Sequence, residues 1–333
     1  MTVAEIVEDV RARGEDAVRE WSLQLDGVEP ARAAPGGELP VDAVLQLADR
    51  VRRWHEAQRP QDVSLEVEPG VELERRWVPL ESVGIYVPRG LVSTLVMCAV
   101  PAQAAGVDRI VVVTPPQGAE LVAAAAGLLG IDEVWAVGGA QAIAALAYVH
   151  RVDKIVGPGN AYVNEAKLIV SRDVAIDLPA GPSEVLVVLG RGGDREIAEL
   201  ELAAQREHGH EAMCELLEAD DLEVALQRID ELAPEHVVLL GDAERLAPRI
   251  RNAGAVFVGA SSPVASGDYA TGGNHVLPTA RWARSTGGLG LETFLKPVTT
   301  QRLTPEGLAL VRPTVEALAG VEGMTAHAQA VAR

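Results

Sequence analysis

From residue 83 to about residue 189, short apolar runs alternate with helical stretches of about ten residues, and this constrains the fold more than any other feature. Val83-Gly84-Ile85-Tyr86-Val87, Arg109 to Thr114, Glu133 to Val137, Lys154-Ile155-Val156, Val174-Ala175-Ile176 and Glu184 to Leu189 read as strands. Helices are expected between them at about 92–105, 118–129 and 140–149, and again from near Asn160. Unbroken runs of Val, Ile and Leu suit strands covered on both faces, and a strand–helix–strand order makes the sheet parallel. A helix at about 195–207 and strands near 213–217, 236–240 and 254–258 extend the pattern into a second α/β layer. Upstream, Val3, Ile6, Val7, Val10, Val18, Trp21 and Leu25 have helical spacing, in two pieces broken near Gly14. Residues 27–40 are rich in Pro, Gly and Ala and read as a loop, followed by a helix over about 41–58. From about residue 303 the chain reads as helical again.

Composition narrows the functional classes. A chain of 333 residues can bury a large core and is expected to hold two or three domains. With only 3% aromatic residues, Ala, Val and Leu must do most of the packing. A net charge of −19 argues against nucleic-acid binding, which needs clustered Lys and Arg. Cys98 and Cys214 form neither a disulfide framework nor a zinc-ribbon spacing, and they fit a reducing cytoplasm. The N-terminus lacks a signal h-region, and the apolar runs are too interrupted to span a bilayer.

The candidate imidazoles and carboxylates lie in the C-terminal half, behind the β/α-patterned first half. Three glycine-containing turns follow strands: Val87-Pro88-Arg89-Gly90, Gly138-Gly139-Ala140-Gln141 and Gly157-Pro158-Gly159-Asn160. Each suits either a phosphate approached by backbone and a helix N-terminus or ordinary strand-to-helix turn chemistry, and none is a G-x-G-x-x-G fingerprint. Gln205 and His208, three apart on a helix, share a face and suit two metal ligands; Glu207 and His210 compete for that role, and a solvated helix end is the bland alternative. Glu235 and His236 precede a strand and could serve acid–base chemistry, or be a surface carboxylate beside a half-buried imidazole. Asp268, Asn274 and His275 lie in a Gly-rich segment that a ligand would order. His55 and His150 have no such neighbours and read as structural or surface residues.

Taken together and in order, VGIYVPRG (83–90), VGGAQAIAALA (137–147), KIVGPGNAYVNEAK (154–167), AGPSEVLVV (180–188), AAQREHG (203–209), APEH (233–236), GDYATGGNHVLPT (267–279) and EGMTAHAQAV (322–331) closely resemble histidinol dehydrogenases. The resemblance spans most of the chain. It implies oxidation of L-histidinol to L-histidine in two steps with two NAD and one zinc per site. It also implies zinc ligands Gln205, His208, Asp268 and His327, and an acid–base pair Glu235 and His236. Substrate contacts would come from Ser183, His275 and Glu322 together with His236 and the metal ligands, and NAD contacts from Tyr86, Gln141 and Asn160. An intertwined homodimer is implied, with the C-terminal part completing the partner's site.

The expected fold is α/β, with two Rossmann-like parallel-sheet domains and a helical C-terminal tail. Residues 1–82 with 183–290 would form the core domain carrying most metal and acid–base residues. Residues 83–182 would form an inserted NAD-contacting domain, and 291–333 the helical tail exchanged with the dimer partner. The chain departs from the family in a trimmed loop after Tyr86, with Arg89 where Gly is usual, in a missing N-terminal extension, and in a short stretch between Gly209 and Pro234. Two other readings are a dehydrogenase of another small polar alcohol and a catalytically silent regulatory homologue. The retained acid–base pair and zinc ligands count against the second.

Overall fold

Thr2 opens the first helix with a capping box: its hydroxyl accepts from the Glu5 amide at 3.3 Å, and the Glu5 carboxylate accepts from the Thr2 amide at 2.7 Å. Helix α1 (Val3–Arg13) ends at Gly14, whose φ of +63° turns the chain directly into α2 (Glu15–Leu25). A two-residue strand β1 (Ala31–Arg32) and helix α3 (Val41–Glu56) follow. Strands β2 (Val63–Glu68) and β3 (Val71–Pro79) form a hairpin. Next come β4 (Ser82–Tyr86), α4 (Val92–Ala105), β5 (Arg109–Thr114), α5 (Ala119–Leu128), β6 (Val134–Ala136) and α6 (Gly139–Ala144), which a π-helical turn prolongs to Val149. Then β7 (Lys154–Val156), α7 (Ala161–Val170) and β8 (Ala175–Ile176) complete the first half. The second half holds β9 (Glu184–Leu189), α8 (Arg195–Arg206), β10 (Met213–Glu218), α9 (Leu222–Leu232), β11 (His236–Leu240), β12 (Ala255–Val258) and α10 (Val264–Tyr269). It ends with β13 (Leu295–Leu303), α11 (Pro305–Val321) and α12 (Thr325–Ala330). This computed structural model describes residues 2–179, 181–209 and 211–332. Among them no helix is long and apolar enough to cross a membrane.

The chain divides into two units, one of residues 1–58 and 80–294, the other of 59–79 and 295–333. The first unit holds two parallel sheets. One has the order β1-β6-β5-β4-β7-β8, all parallel except β1, which runs antiparallel to β6. Without β1 this is the 3-2-1-4-5 strand order of a Rossmann sheet, with its switch point between β4 and β7. The other sheet has the order β10-β9-β11-β12 and is parallel throughout. Its two central strands, β9 and β11, are buried on both faces by simple alternation. Leu186, Val188, Val237 and Leu239 pack with Ala225 and Ile229 of α9, whereas Val185, Val187, Val238 and Leu240 pack with Ala198 and Leu202 of α8.

Helices α1 and α2 contribute Val3, Ile6, Val7, Val10, Ala17 and Val18 to a core shared with Val111 and Val113 of β5, α6 and α7. They therefore cover the first sheet, whereas the sequence reading joins residues 1–82 to the second. On the opposite face α3 packs Val44, Leu47, Ala48 and Val51 against Val96, Met97 and Val100 of α4. That double cover explains why α4 is apolar all round, with ten buried residues.

The second unit is a three-stranded antiparallel sheet, β13-β3-β2, followed by α11 and α12. The sequence reading groups residues 291–333 as a helical tail, with helix from about 303; residues 295–303 form a strand that pairs with β3 over nine positions. The alternating pattern of VSLEVE and VELERRWVP carries the strand signal for β2 and β3. Thr304 caps α11 through Gly307, and Pro305 takes the first helical position. Gly70 at the hairpin tip has φ +76°, and a Cβ there would stand 2.3 Å from the Thr304 hydroxyl. This unit leaves much apolar surface uncovered: all six β2 residues are exposed, and Leu310, Leu318, Val321 and Met324 are 49–89% exposed.

Candidate active site

A cleft of about 630 Å³ opens in the first unit. One wall is the carboxyl edge of the Rossmann-order sheet: Pro88 and Leu91 after β4, and Pro158, Gly159 and Asn160 after β7. These loops flank the switch point, where open α/β sheets bind ligands. The other wall lies at the amino edge of the second sheet. Ser183 precedes β9, and Glu235 and His236 open β11. The rule that sites sit beyond strand carboxyl ends therefore serves one sheet and fails for the other. Helix α8 runs antiparallel to its strands, so its last turn, with Gln205 and then His208, arrives at the same amino edge.

Ser183, Gln205, His208, Glu235, His236, Asp268, His275 and Asn160 all line this cleft. Tyr86 and Gln141 do not: both are buried, and the Gly138–Gln141 turn is tied down internally. Asp26 accepts from the Gly138 amide and from the Gln141 side-chain amide, each at 3.1 Å. Glu322 and His327 belong to the second unit, Glu322 just after α11 and His327 on α12, and both are exposed. His210 lies outside the described residues. His55 is fully buried and holds the Gly-rich segment from below, with Nδ1 2.7 Å from the Val51 carbonyl and Nε2 3.4 Å from Asn274 Nδ2.

The polar contacts form a connected chain. Gln205 Nε2 donates to Ser183 Oγ at 2.7 Å, and Ser183 Oγ donates to Glu235 Oε2 at 2.6 Å. That orientation commits the Gln205 nitrogen and leaves its Oε1 as the donor atom for a ligand. Glu235 Oε2 also accepts from the Glu184 amide at 2.9 Å. Burial nevertheless pushes the Glu235 carboxyl up to about 7, against the lowering effect of these hydrogen bonds.

Three imidazoles of the cleft are oriented alike. His236 Nδ1 lies 3.0 Å from the Glu184 carbonyl, His208 Nδ1 3.3 Å from the Gln205 carbonyl, and His275 Nδ1 3.1 Å from the Asp268 carbonyl. A carbonyl only accepts, so each Nδ1 carries a hydrogen, and in the neutral ring the lone pair lies on Nε2. His275 spends that lone pair on the Thr94 hydroxyl at 3.2 Å, and burial lowers its pKa to about 4. His236 Nε2 is buried with no hydrogen-bond partner among the described residues. Burial lowers the His236 pKa, with the Asp268 carboxylate opposing, and burial raises that of Asp268, with His236 and His208 opposing. Phe257 stacks obliquely on His236 at 5.9 Å. Gly267 lets α10, which carries Asp268, lie on the Phe257 ring, since a Cβ there would be 2.7 Å from it.

Sequence reasoning missed the supports of this arrangement. Glu201 shares the α8 face of Gln205 and His208, lines the cleft, and accepts from the Val264 amide at 3.1 Å, tying α8 to the helix that carries Asp268. Its spacing four before Gln205 was the available signal. Glu184 accepts from the amides of Glu235 and Ala280 and frames the acid–base pair; only its position after Pro-Ser hinted at this.

Glu235 gives a direct thermodynamic test. A folded pKa of about 7 against 4.5 for the free group means that its contribution is fully present below pH 4.5 and is lost as pH rises through 7. The loss amounts to about 3 kcal/mol. In metal-stripped protein, Glu235→Gln stays neutral and should gain stability over the parent progressively between those limits. Denaturant midpoints that differ by a constant amount from pH 4 to pH 8 would contradict the burial argument.

A Rossmann-order sheet facing a buried carboxyl–imidazole pair across one cleft has the layout of an α/β enzyme equipped for acid–base chemistry. The model of the family described as histidinol dehydrogenase matches residues 1–220 and 214–333. The chain belongs to that family. It is 38% identical to the histidinol dehydrogenase of Rhizobium meliloti (strain 1021), over 99% of this chain and 90% of that protein. It is 40% identical to that of Idiomarina loihiensis, over 99% and 89%. The crystal structure of histidinol dehydrogenase from Elizabethkingia anophelis superposes with a TM-score of 0.89 at 30% identity, covering 99% of this chain and 90% of that one. The two matched segments overlap at residues 214–220, which begin within β10 and run past its end.

Proposed function

We propose that this enzyme oxidises L-histidinol to L-histidine through histidinal, with two NAD and one zinc ion per site, as a homodimer. The observation that carries the reading is the His236 Nε2 lone pair, buried in the cleft without a partner among the described residues and oriented by the Glu184 carbonyl. A neutral imidazole so placed can take a hydroxyl proton as hydride leaves the carbinol carbon. After the first oxidation, the carboxylate of Glu235 activates a water for attack on the aldehyde. His236 then takes the proton of the hydrate. Ser183 keeps Glu235 and Gln205 in register throughout.

The residues fit a zinc ion. Gln205 Oε1 and His208 Nε2 are left unclaimed by the hydrogen bonds described, and Asp268 is electrostatically linked to His208. Among the described residues no three His, Cys, Asp or Glu side chains converge as a metal site, so this set depends on a glutamine and on a further donor. We assign that donor to His327 of the partner subunit, with Glu322 contacting substrate. The exposed apolar surface of the second unit supports such an exchange. Zinc bound there would template the imidazole and amine of the substrate, and mixed nitrogen and oxygen donors suit it. NAD would accept the hydride, lying along the loops after β4 and β7 with Asn160 in contact; Tyr86 and Gln141 would reach it on rearrangement of the Gly138–Gln141 turn. The two unpaired cysteines agree with a cytoplasmic location.

The test is NADH formation with L-histidinol compared with other small amino alcohols and polar diols. Turnover of L-histidinol well above the rest is expected. A preference for an alcohol without an imidazole would overturn the substrate assignment.

A further inference from the structure

Lys167 and Asp177 form an ion pair whose side chains are 1% and 2% exposed, and no step of the chemistry uses either. Their place follows from the topology. β7 and β8 are parallel neighbours, so Asp177, just past β8, stands beside Gly157, just past β7. Lys167 is the seventh residue of α7, and its side chain reaches back toward the loop from which that helix starts.

Both polar groups of Gly157 end on this pair. The Gly157 amide donates to Asp177 Oδ2 at 2.8 Å, and Lys167 Nζ donates to the Gly157 carbonyl at 2.9 Å. Lys167 Nζ also donates to Asp177 Oδ1 and to the Leu178 carbonyl, so each of its three hydrogens has an acceptor. Gly157 has φ +110°, and a Cβ would lie 2.2 Å from the Tyr86 carbonyl, so the loop is pressed against the end of β4. The next three residues, Pro158, Gly159 and Asn160, line the cleft, and Asn160 caps α7 through Val163 at 3.1 Å. A buried ion pair is costly to desolvate and is no better for stability than well-packed apolar side chains. Here it supplies partners to a loop peptide cut off from water, which apolar side chains would not.

We propose that Lys167 and Asp177 are positioning residues for the cofactor: they set the Gly157–Asn160 loop, and with it the amino end of α7, in the conformation that receives NAD. The proposal rests on the NAD reading above. Neither side chain lines the cleft, so neither is a catalytic residue.

Lys167→Met alone leaves a buried carboxylate unpaired and is expected to be strongly destabilised. The informative variant is therefore Lys167→Met with Asp177→Leu, which removes both charges at similar volume. It should stay folded, with a melting temperature lowered by the unpaired Gly157 peptide, and take up zinc as the parent does. Its dissociation constant for NADH, followed by nucleotide fluorescence, should rise about tenfold or more, because the loop must now be ordered on binding. The KM for NAD should rise with it, while kcat at saturating NAD changes little. Parent-like NADH affinity in the folded double variant would overturn the proposal, and so would a double variant that does not fold, since the pair would then serve stability. A parent protein that takes up zinc but binds no NADH would instead remove the cofactor reading itself.

Discussion

Replacing His236 with alanine is expected to depress the oxidation of histidinol and of histidinal alike, by on the order of 100- to 10,000-fold in each. The expectation follows from the single available lone pair: Nδ1 is committed to the Glu184 carbonyl, and Nε2 is the one free basic nitrogen of that ring. The other cleft imidazoles cannot substitute. His275 gives its Nε2 to Thr94, and His208 is the residue proposed above to hold the metal. Glu235→Gln should behave differently. It keeps the acceptor for Ser183 and the Glu184 amide but removes the base that activates water, so histidinal oxidation should fall far more than histidinol oxidation. NADH release from each substrate, assayed separately, checks both. Equal losses on the two substrates in Glu235→Gln would mean that Glu235 orients the site generally, and the division of labour would be withdrawn.

Mixing two dead variants should restore activity. His327→Ala and His236→Ala are each expected to lose nearly all turnover, one through the metal and the other through the base. If His327 serves the site of the partner subunit, a hybrid dimer contains one site with both residues intact. Random exchange in an equal mixture makes half of the dimers hybrid, so about a quarter of parental activity should return. The exchange requires subunit dissociation, and tagged chains report whether hybrids form. Hybrids that form and remain inactive would place His327 in its own chain's site or outside any site.

The parallel sheets were legible because a strand covered on both faces must be a short unbroken apolar run, as in RIVVVT and EVLVVL. The break between the first two helices was legible at Gly14, where only a positive φ makes the turn. The residues that the resemblance picks out in order, Ser183, Gln205, His208, Glu235, His236, Asp268 and His275, line one cleft. Which helix covers which sheet was not legible. An amphipathic stripe such as Val3, Ile6, Val7 and Val10 states that a face is buried without naming its partner, and the tertiary structure gave it to the first sheet. Strand β13 was hidden for a related reason: its partner β3 lies more than two hundred residues earlier, and pairing over that distance leaves no local mark. The protonation states were decided by tertiary structure alone. Glu235 and His236 are adjacent in sequence, but the raised carboxyl and the free Nε2 come from burial and from the carbonyl of Glu184, a residue brought alongside by the β9–β11 pairing. Sequence thus supplied the groups and their order, while desolvation and long-range hydrogen bonds, which depend on what surrounds a group in space, determined what each group can do.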